Sequence, residues 1–211
     1  MRLVDIAVCA GVLLLLSACA QQTIRPHEDK NQPAPASWAI HKKQMQAITQ
    51  WHMKGKIGYR SPADGGSAWV DWRQQNDEFE MFLSGPFGAG VVRIFGNKHF
   101  ATLRQAEVDD ISTRSAAALT VKLFGWQLPV DELSYWVRGI PAPGAAVTQR
   151  AFNAEGLLDN FEQTGWHLEL SRYRDTAAGK LPGKVLATHD KLRFTLVIKD
   201  LDLTANDHRQ L

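Results

Sequence analysis

The sequence predicts an α+β fold, a curved antiparallel sheet interrupted by a helical insertion, and three observations predict it. From Trp51 onward, short segments rich in aromatic and β-branched residues alternate with period two and are separated by turn signals such as PADGG and GNK. Between residues 112 and 139 the pattern changes to helical spacing, and strand patterns then resume. Several strands carry their bulky apolar residues on one parity, so each sheet face has one side that must be covered.

The chain opens with Arg2 before the apolar run AVCAGVLLLLSACA. That run is too short for a permanent membrane helix, which needs about 20 apolar residues, and it reads as a secretory signal. Leu16-Ser17-Ala18-Cys19 at its end resembles a bacterial lipobox, in which cleavage before a cysteine follows alkylation of its thiol by diacylglycerol. The expected boundaries are a signal peptide over 1–18, a lipidated tether over 19–36 anchored at Cys19, and one domain over 37–211. Two or three acyl chains hold a protein firmly on a bilayer where one chain binds only reversibly. Ala20 follows the cysteine where an aspartate would favour inner-membrane retention, so the expected location is the outer membrane, facing the periplasm. The tether AQQTIRPHEDKNQPAPAS is polar and carries three prolines, too little apolar surface to order itself.

The domain is expected to open with Ser37 as N-cap of a helix, WAIHKKQMQAITQ, placing Ile40, Met45 and Ile48 on one side. WHMKGKIGYR, GSAWVDWRQ, EFEMFLSG, GVVRIFGN and HFATLRQ follow as five strands of a meander. STRSAAALTVKLFG reads as a helix ending at Gly125, and Pro129 opens a second, VDELSYWVRG. AVTQRAF, LLDNFEQ, WHLELSRYR, GKVLATH and KLRFTLVIKDLDL complete the strands.

Composition excludes several classes of function. Cys9 and Cys19 are the only cysteines, and Cys9 falls in the segment expected to be removed, so the domain is held by its apolar core and not by disulfides. Lys and Arg number 24 against 22 Asp and Glu, a balance that offers no basic field for nucleic acid. The histidines have no HxxxH spacing, which leaves no metal site in view. Asp109-Asp110 and Asp131-Glu132 read as solvated carboxylates preceding helices, where they complement the dipole. Ser84-Gly85 lacks a GxSxG context and no phosphate-binding loop appears, so no catalytic residue and no cofactor is expected. Arg138 is expected to bond a backbone carbonyl or an acidic neighbour and fix the PAPG turn.

The apolar parities are Phe79, Met81 and Leu83 in one strand, Trp166, Leu168 and Leu170 in another, and Phe194, Leu196 and Ile198 in a third. Periodicity alone does not distinguish a filled core from a ligand cavity. The turn LSGPFGAG raises a separate question, because Gly85, Pro86 and Gly88 surround an apolar residue, Phe87, where a turn ordinarily exposes a polar one. Phe87 either caps the core or points outward.

FEMFLSGPFG, LFGWQLPVDELSYWVRGIPAPG and FEQTGWHLELSRY, in that order behind a lipobox and a proline-bearing tether, resemble the LolB family of outer-membrane lipoprotein receptors. The resemblance implies a half-open β-barrel covered by helices and enclosing an apolar cavity, for which those nine residues are the candidates. It implies a monomeric receptor, not an enzyme, that takes acylated lipoproteins from a LolA-type periplasmic carrier and incorporates them into outer-membrane lipid. It further implies that Gly85, Pro86, Phe87 and Gly88 form a protruding membrane-insertion loop, with phenylalanine where the family carries leucine. The alternative is a structural or assembly lipoprotein that docks another outer-membrane protein through an apolar patch.

Overall fold

A computed structural model describes residues 31–85 and 90–203. The signal segment, Cys19 and most of the tether, Pro86, Phe87 and Gly88 of the turn, and the tail TANDHRQL lie outside the described residues.

Helix α1 spans Ala36–Ala47. Its cap is Pro35, whose extended backbone (ψ 152°) delivers the chain into the first turn, so Ser37 lies inside that turn and is not the expected N-cap. The buried side carries Trp38, His41 and Met45, while Ile40 is 64% exposed. Helical geometry explains the correction: at about 100° per residue, positions three and seven beyond Trp38 return to its face, whereas Ile40 is roughly 140° from Met45.

Six antiparallel strands form a meander: β1 (Gln50–Arg60), β2 (Gly65–Gln75), β3 (Glu78–Ser84), β4 (Val91–Asn97), β5 (Phe100–Gln105) and β6 (Val108–Thr113). Strand β6 falls where the sequence suggested the approach to a helix. Asp109 and Asp110 have low strand propensity, but cross-strand partners place them there. Asp110 accepts a hydrogen bond from Arg104 at 2.6 Å, Ser112 meets the Thr102 hydroxyl at 2.9 Å, and Ile111 lies opposite Leu103. These two carboxylates therefore serve a sheet edge and not a helix dipole.

Helix α2 (Ala116–Phe124) starts later than expected, because the Ser115 hydroxyl accepts from the Ala118 amide at 3.1 Å and fixes the cap there. It stops at Gly125, which takes a left-handed φ of 76°. Helix α3 (Val130–Trp136) follows Pro129 with Asp131 and Glu132 in its first turn. The remaining strands are β7 (Val147–Phe152), β8 (Leu158–Gln163), β9 (Trp166–Ser171), β12 (Lys184–His189) and β13 (Leu192–Asp202). Between β9 and β12 a separate small hairpin, β10 (Arg174–Thr176) with β11 (Gly179–Leu181), replaces the expected continuation of β9 to Arg174.

The main sheet has the order β6-β5-β4-β3-β2-β1-β13-β12-β9-β8-β7. The two helices carry the chain from β6 at one edge to β7 at the other, and β13 returns to pair with β1. The edges β6 and β7 do not pair with each other, so the sheet is an unclosed barrel. Its concave side is one continuous apolar core in which Trp51 meets Trp72 edge-on at 4.9 Å and Trp166 meets Phe194 at 5.4 Å. Leu119 of α2 and Val130, Leu133 and Trp136 of α3 roof it.

At the irregularity between Lys54 and Gly55, β1 and β13 approach so closely that a Cβ on Gly55 would run into the Val197 carbonyl. Gly55→Ala is expected to destabilise the fold by about 1–3 kcal/mol, read as a lowered urea midpoint. Gly58→Ala, whose nearest contact would be an ordinary 3.7 Å, should shift it far less.

Candidate functional site

The nine residues singled out by parity all turn toward the concave side. Phe79, Met81, Trp166, Leu168, Leu170, Phe194, Leu196 and Ile198 are buried, and Leu83, one strand position from the turn, is partly buried against them. They pack on one another and on the helices, as a filled core does.

Between that core and the helices opens a cleft of about 320 Å³. Its apolar wall is Ile48, Trp51, Trp72, Phe79, Val130 and Tyr135, and its rim carries Asp77, Lys98, Asp131 and Arg138. Of the nine residues, Phe79 alone lines this opening. A larger hollow of about 470 Å³ beside it combines Trp51 and Phe79 with Arg93 and Phe95 of the opposite sheet face. It therefore wraps the sheet's rim and does not lie between the layers.

The rim is electrostatically uneven. Lys98, in the β4–β5 turn, bonds Asp77 in the β2–β3 turn at 2.7 Å, and that bond and charge raise its pKa. Asp131 forms no ion pair among the described residues; desolvation beside the helix layer pushes its carboxyl above the usual range, with Lys98 opposing and Asp77 adding to the effect. The apolar wall thus has a polar latch of sheet turns on one side and the Asp131 carboxylate of α3 on the other.

Arg138 is the clasp of the helical layer. It is only 5% exposed, donates through Nε to the Ser134 carbonyl at 3.0 Å, and donates through one terminal nitrogen to the carbonyls of Met45 (2.8 Å) and Ile48. Its guanidinium lies 4.7 Å from the Tyr135 ring centre. The bonded carbonyls include those freed at the C-terminal end of α1, which a helix cannot satisfy internally, so one cation joins α1 to α3. Burial lowers its pKa, without making a guanidinium neutral. The expected bond to a backbone carbonyl is present, but its target is α1 and not the PAPG turn.

That turn is held instead by Gln163, which sequence reasoning missed. Its amide bonds both the N–H and the carbonyl of Ala142 at 2.9 Å and accepts from the Trp136 indole at 3.0 Å. The signal was present: Gln163 shares the inward parity of Phe161 in β8, where an uncharged polar residue calls for a buried partner.

An unclosed antiparallel sheet with its apolar concavity roofed by helices defines the class as a LolA/LolB-like half-barrel. A crystal structure of a LolA superfamily protein from Nitrosomonas europaea aligns with a TM-score of 0.52 over 80% of this chain and 94% of that one, at 9% identity, a likeness of fold alone. In sequence, residues 49–200 match the family described as outer membrane lipoprotein LolB. The outer-membrane lipoprotein LolB of Cellvibrio japonicus is 41% identical over 80% of this chain and 85% of its own length. That of Stutzerimonas stutzeri is 37% identical over 89% and 90%. The chain belongs to the LolB family, and as such is an outer-membrane lipoprotein receptor and not an enzyme.

Two predictions test the helical layer. Arg138→Met keeps the stem and removes the donors, leaving carbonyls of α1 and α3 without them; the expected loss is about 2–3 kcal/mol or more in urea unfolding. The second concerns His41, whose Nε2 is buried without a hydrogen-bond partner among the described residues. Burial lowers its pKa from 6.5, so below that pH the unfolded chain binds a proton that the folded chain resists. Stability is therefore full above the unfolded pKa and falls as pH drops through it. The urea midpoint should decline between about pH 7.5 and 5.5, and His41→Leu should flatten that decline.

Proposed function

We propose that the concave apolar core is where the acyl chains of cargo lipoproteins are held, with the cleft at Phe79 as their entrance. The observation that carries this reading is an apolar wall of Trp51, Trp72 and Phe79 that leads from the surface into the core under a separate layer of helices. Phe79, Met81, Leu83, Trp166, Leu168, Leu170, Phe194, Leu196 and Ile198 form the sheet side of the site, and displacement of α2 and α3 from it makes room. α2 and the start of α3 are the mobile part, since Arg138 and Gln163 tie the far end of α3 to α1 and to β8.

Physical chemistry gives the reason for such a site. Exposing one chain of about 16 carbons to water costs on the order of 13 kcal/mol, at about 0.8 per CH₂, and a lipoprotein carries up to three chains. Release through water is therefore negligible, and direct passage between apolar cavities is the workable route. A LolA-type carrier supplies the cargo, this chain accepts it as a monomer, and outer-membrane lipid is the final acceptor. The anchor at Cys19 and the tether over 19–36 keep the domain near that acceptor. The turn of Gly85, Pro86, Phe87 and Gly88 meets the membrane during release; burying one phenylalanine contributes about 1.5–3 kcal/mol, enough for transient contact and too little for permanent attachment.

A photocrosslinking residue in place of Phe79 should capture acylated cargo handed over by the carrier, whereas the same residue in place of Thr195, on the convex face, should not. Equal capture at both positions would remove the cleft as entrance. Phe87→Glu should leave uptake from the carrier intact and slow delivery to vesicles. Depleting the protein in its host should cause carrier-bound lipoproteins to accumulate in the periplasm; their absence there would sink the receptor reading.

A further inference from the structure

The convex face of the sheet is not uniform. Register places Val91, Ser84, Trp69, Lys56, Val197 and Lys184 side by side across six strands, from β4 to β12. Ser84 and Val91 are also the ends of the strands that lead into the turn at 85–90. Trp69 is 48% exposed and Val91 55%, and the Lys56 ammonium lies 6.0 Å from the Trp69 ring centre. One strand end further along, Arg60 of β1 lies directly opposite Arg193 of β13, both exposed.

Charge compensation changes along this face. Away from the turn, three of the cations have acidic partners, Arg93 with Glu80, Arg104 with Asp110 and Lys54 with Asp71, while Arg73 forms no ion pair with a described residue. Arg93 and Arg104 also face each other across β4 and β5, but each has its own carboxylate. At the turn end, Lys56, Arg60, Lys184 and Arg193 form no ion pair with a described residue. Like charges directly opposite on neighbouring strands are destabilising, so an anion from outside would relieve the Arg60–Arg193 pair. Exposed tryptophan and valine interleaved with unmatched lysine and arginine are the composition that suits a lipid–water interface, where an indole occupies the headgroup level and cations meet phosphates.

We propose that this surface, centred on Trp69 and Val91 and flanked by Lys56, Arg60, Lys184 and Arg193, lies against anionic lipid headgroups and sets the orientation in which the domain meets the membrane. The proposal rests on the reading that the adjoining turn contacts the bilayer, and adds to it a wider, headgroup-selective contact. A turn alone leaves the domain free to tilt; a second contact spread over about three strand spacings of 4.8 Å from Trp69 to Lys184 restricts that tilt.

On the maturation proposed above, the acylated protein carries no free thiol, so an environment-sensitive fluorophore can be placed at Val91→Cys, and at Ile40→Cys of α1 as a control. The anchored protein is compared in phosphatidylcholine vesicles with and without phosphatidylglycerol. The residue-91 probe should shift to the blue only with the anionic lipid, and the residue-40 probe should not. Reversal of three charges, Lys56→Glu, Arg60→Glu and Lys184→Glu together, should lower the ratio of docked to undocked protein at least about tenfold. Equal responses at 40 and 91, no effect of phosphatidylglycerol, or a shift untouched by charge reversal would each overturn the proposal. If charge reversal slows cargo uptake from the carrier and leaves the residue-91 shift unchanged, the surface belongs to the carrier and the proposal fails. Phe87→Glu separates the two readings. Normal delivery by that variant with an intact residue-91 response discards the turn and keeps the surface, whereas impaired delivery by that variant, alongside a residue-91 probe that ignores phosphatidylglycerol even with Phe87 in place, keeps the turn and discards the surface.

Discussion

The constraint on which the rest of the structure depends is that a sheet of this length does not close. In a closed barrel the inward side chains cover one another. Here β6 and β7 remain apart, and the concave face, from Phe79 in β3 to Leu170 in β9, needs cover from another element. At about 25 cal/mol per Å², a buried leucine or phenylalanine contributes roughly 1.5–3 kcal/mol, so leaving that face wet would cost more than a domain's whole stability of 5–15 kcal/mol. The helices are thus an energetic requirement of the open sheet. Their position in the chain follows as well, because a segment that carries the chain from one sheet edge to the other can cross the concavity on its way.

The helical layer is held in place by two different kinds of force. Leu119, Leu133 and Trp136 hold through apolar burial, which has no preferred direction and tolerates exchange for any other apolar group. Arg138 and Gln163 hold through buried hydrogen bonds, which are directional and costly to leave unmade. The directional contacts lie at the C-terminal end of α3 and the end of α1, leaving α2 attached by its apolar side and by the hydroxyl of Thr120, which accepts from the Leu128 amide at 2.9 Å. A layer fixed rigidly at one end and by exchangeable contacts elsewhere can lift in one place without losing its register.

Much of this was legible in the residues, and most of the exceptions share a cause. Inward parity identified the sheet's apolar face because alternation is a local property, and Gly125 and Pro129 marked helix ends through their own backbone restrictions. Strand β6 was misread because its strand character comes from Arg104 and Thr102 across the sheet, and VDDIST alone contains too few β-formers to show it. Ile40 was placed on the wrong side of α1 because the phase of a short helix depends on which single residue anchors it, and Trp38 does so by packing on Phe152, far along the chain. Arg138 was expected to bond a backbone carbonyl or an acidic neighbour at the PAPG turn, but it donates to a carbonyl 93 residues away in sequence. In these three the deciding partner is non-local, whereas the start of α2 turns on a local choice between Ser112 and Ser115 as the cap.

A filled core and a receptor for acyl chains are compatible for a physical reason. An empty apolar cavity large enough for a fatty acid would forfeit dispersion contacts along its whole lining, and a water-filled one would leave the aromatic residues wet. A core that packs on itself and on α2 and α3 avoids both costs, and an incoming chain then exchanges one set of apolar contacts for another. Such an exchange is close to balanced, so small differences in how tightly the helices close can set this protein's hold on its cargo between that of a donor and that of a bilayer. On the function proposed above, affinity is governed by the cost of lifting the helices more than by the shape of a preformed pocket. If acyl chains enter as proposed, the clasp at Arg138, on the rim of the cleft, fixes where the layer can lift and so contributes to binding strength.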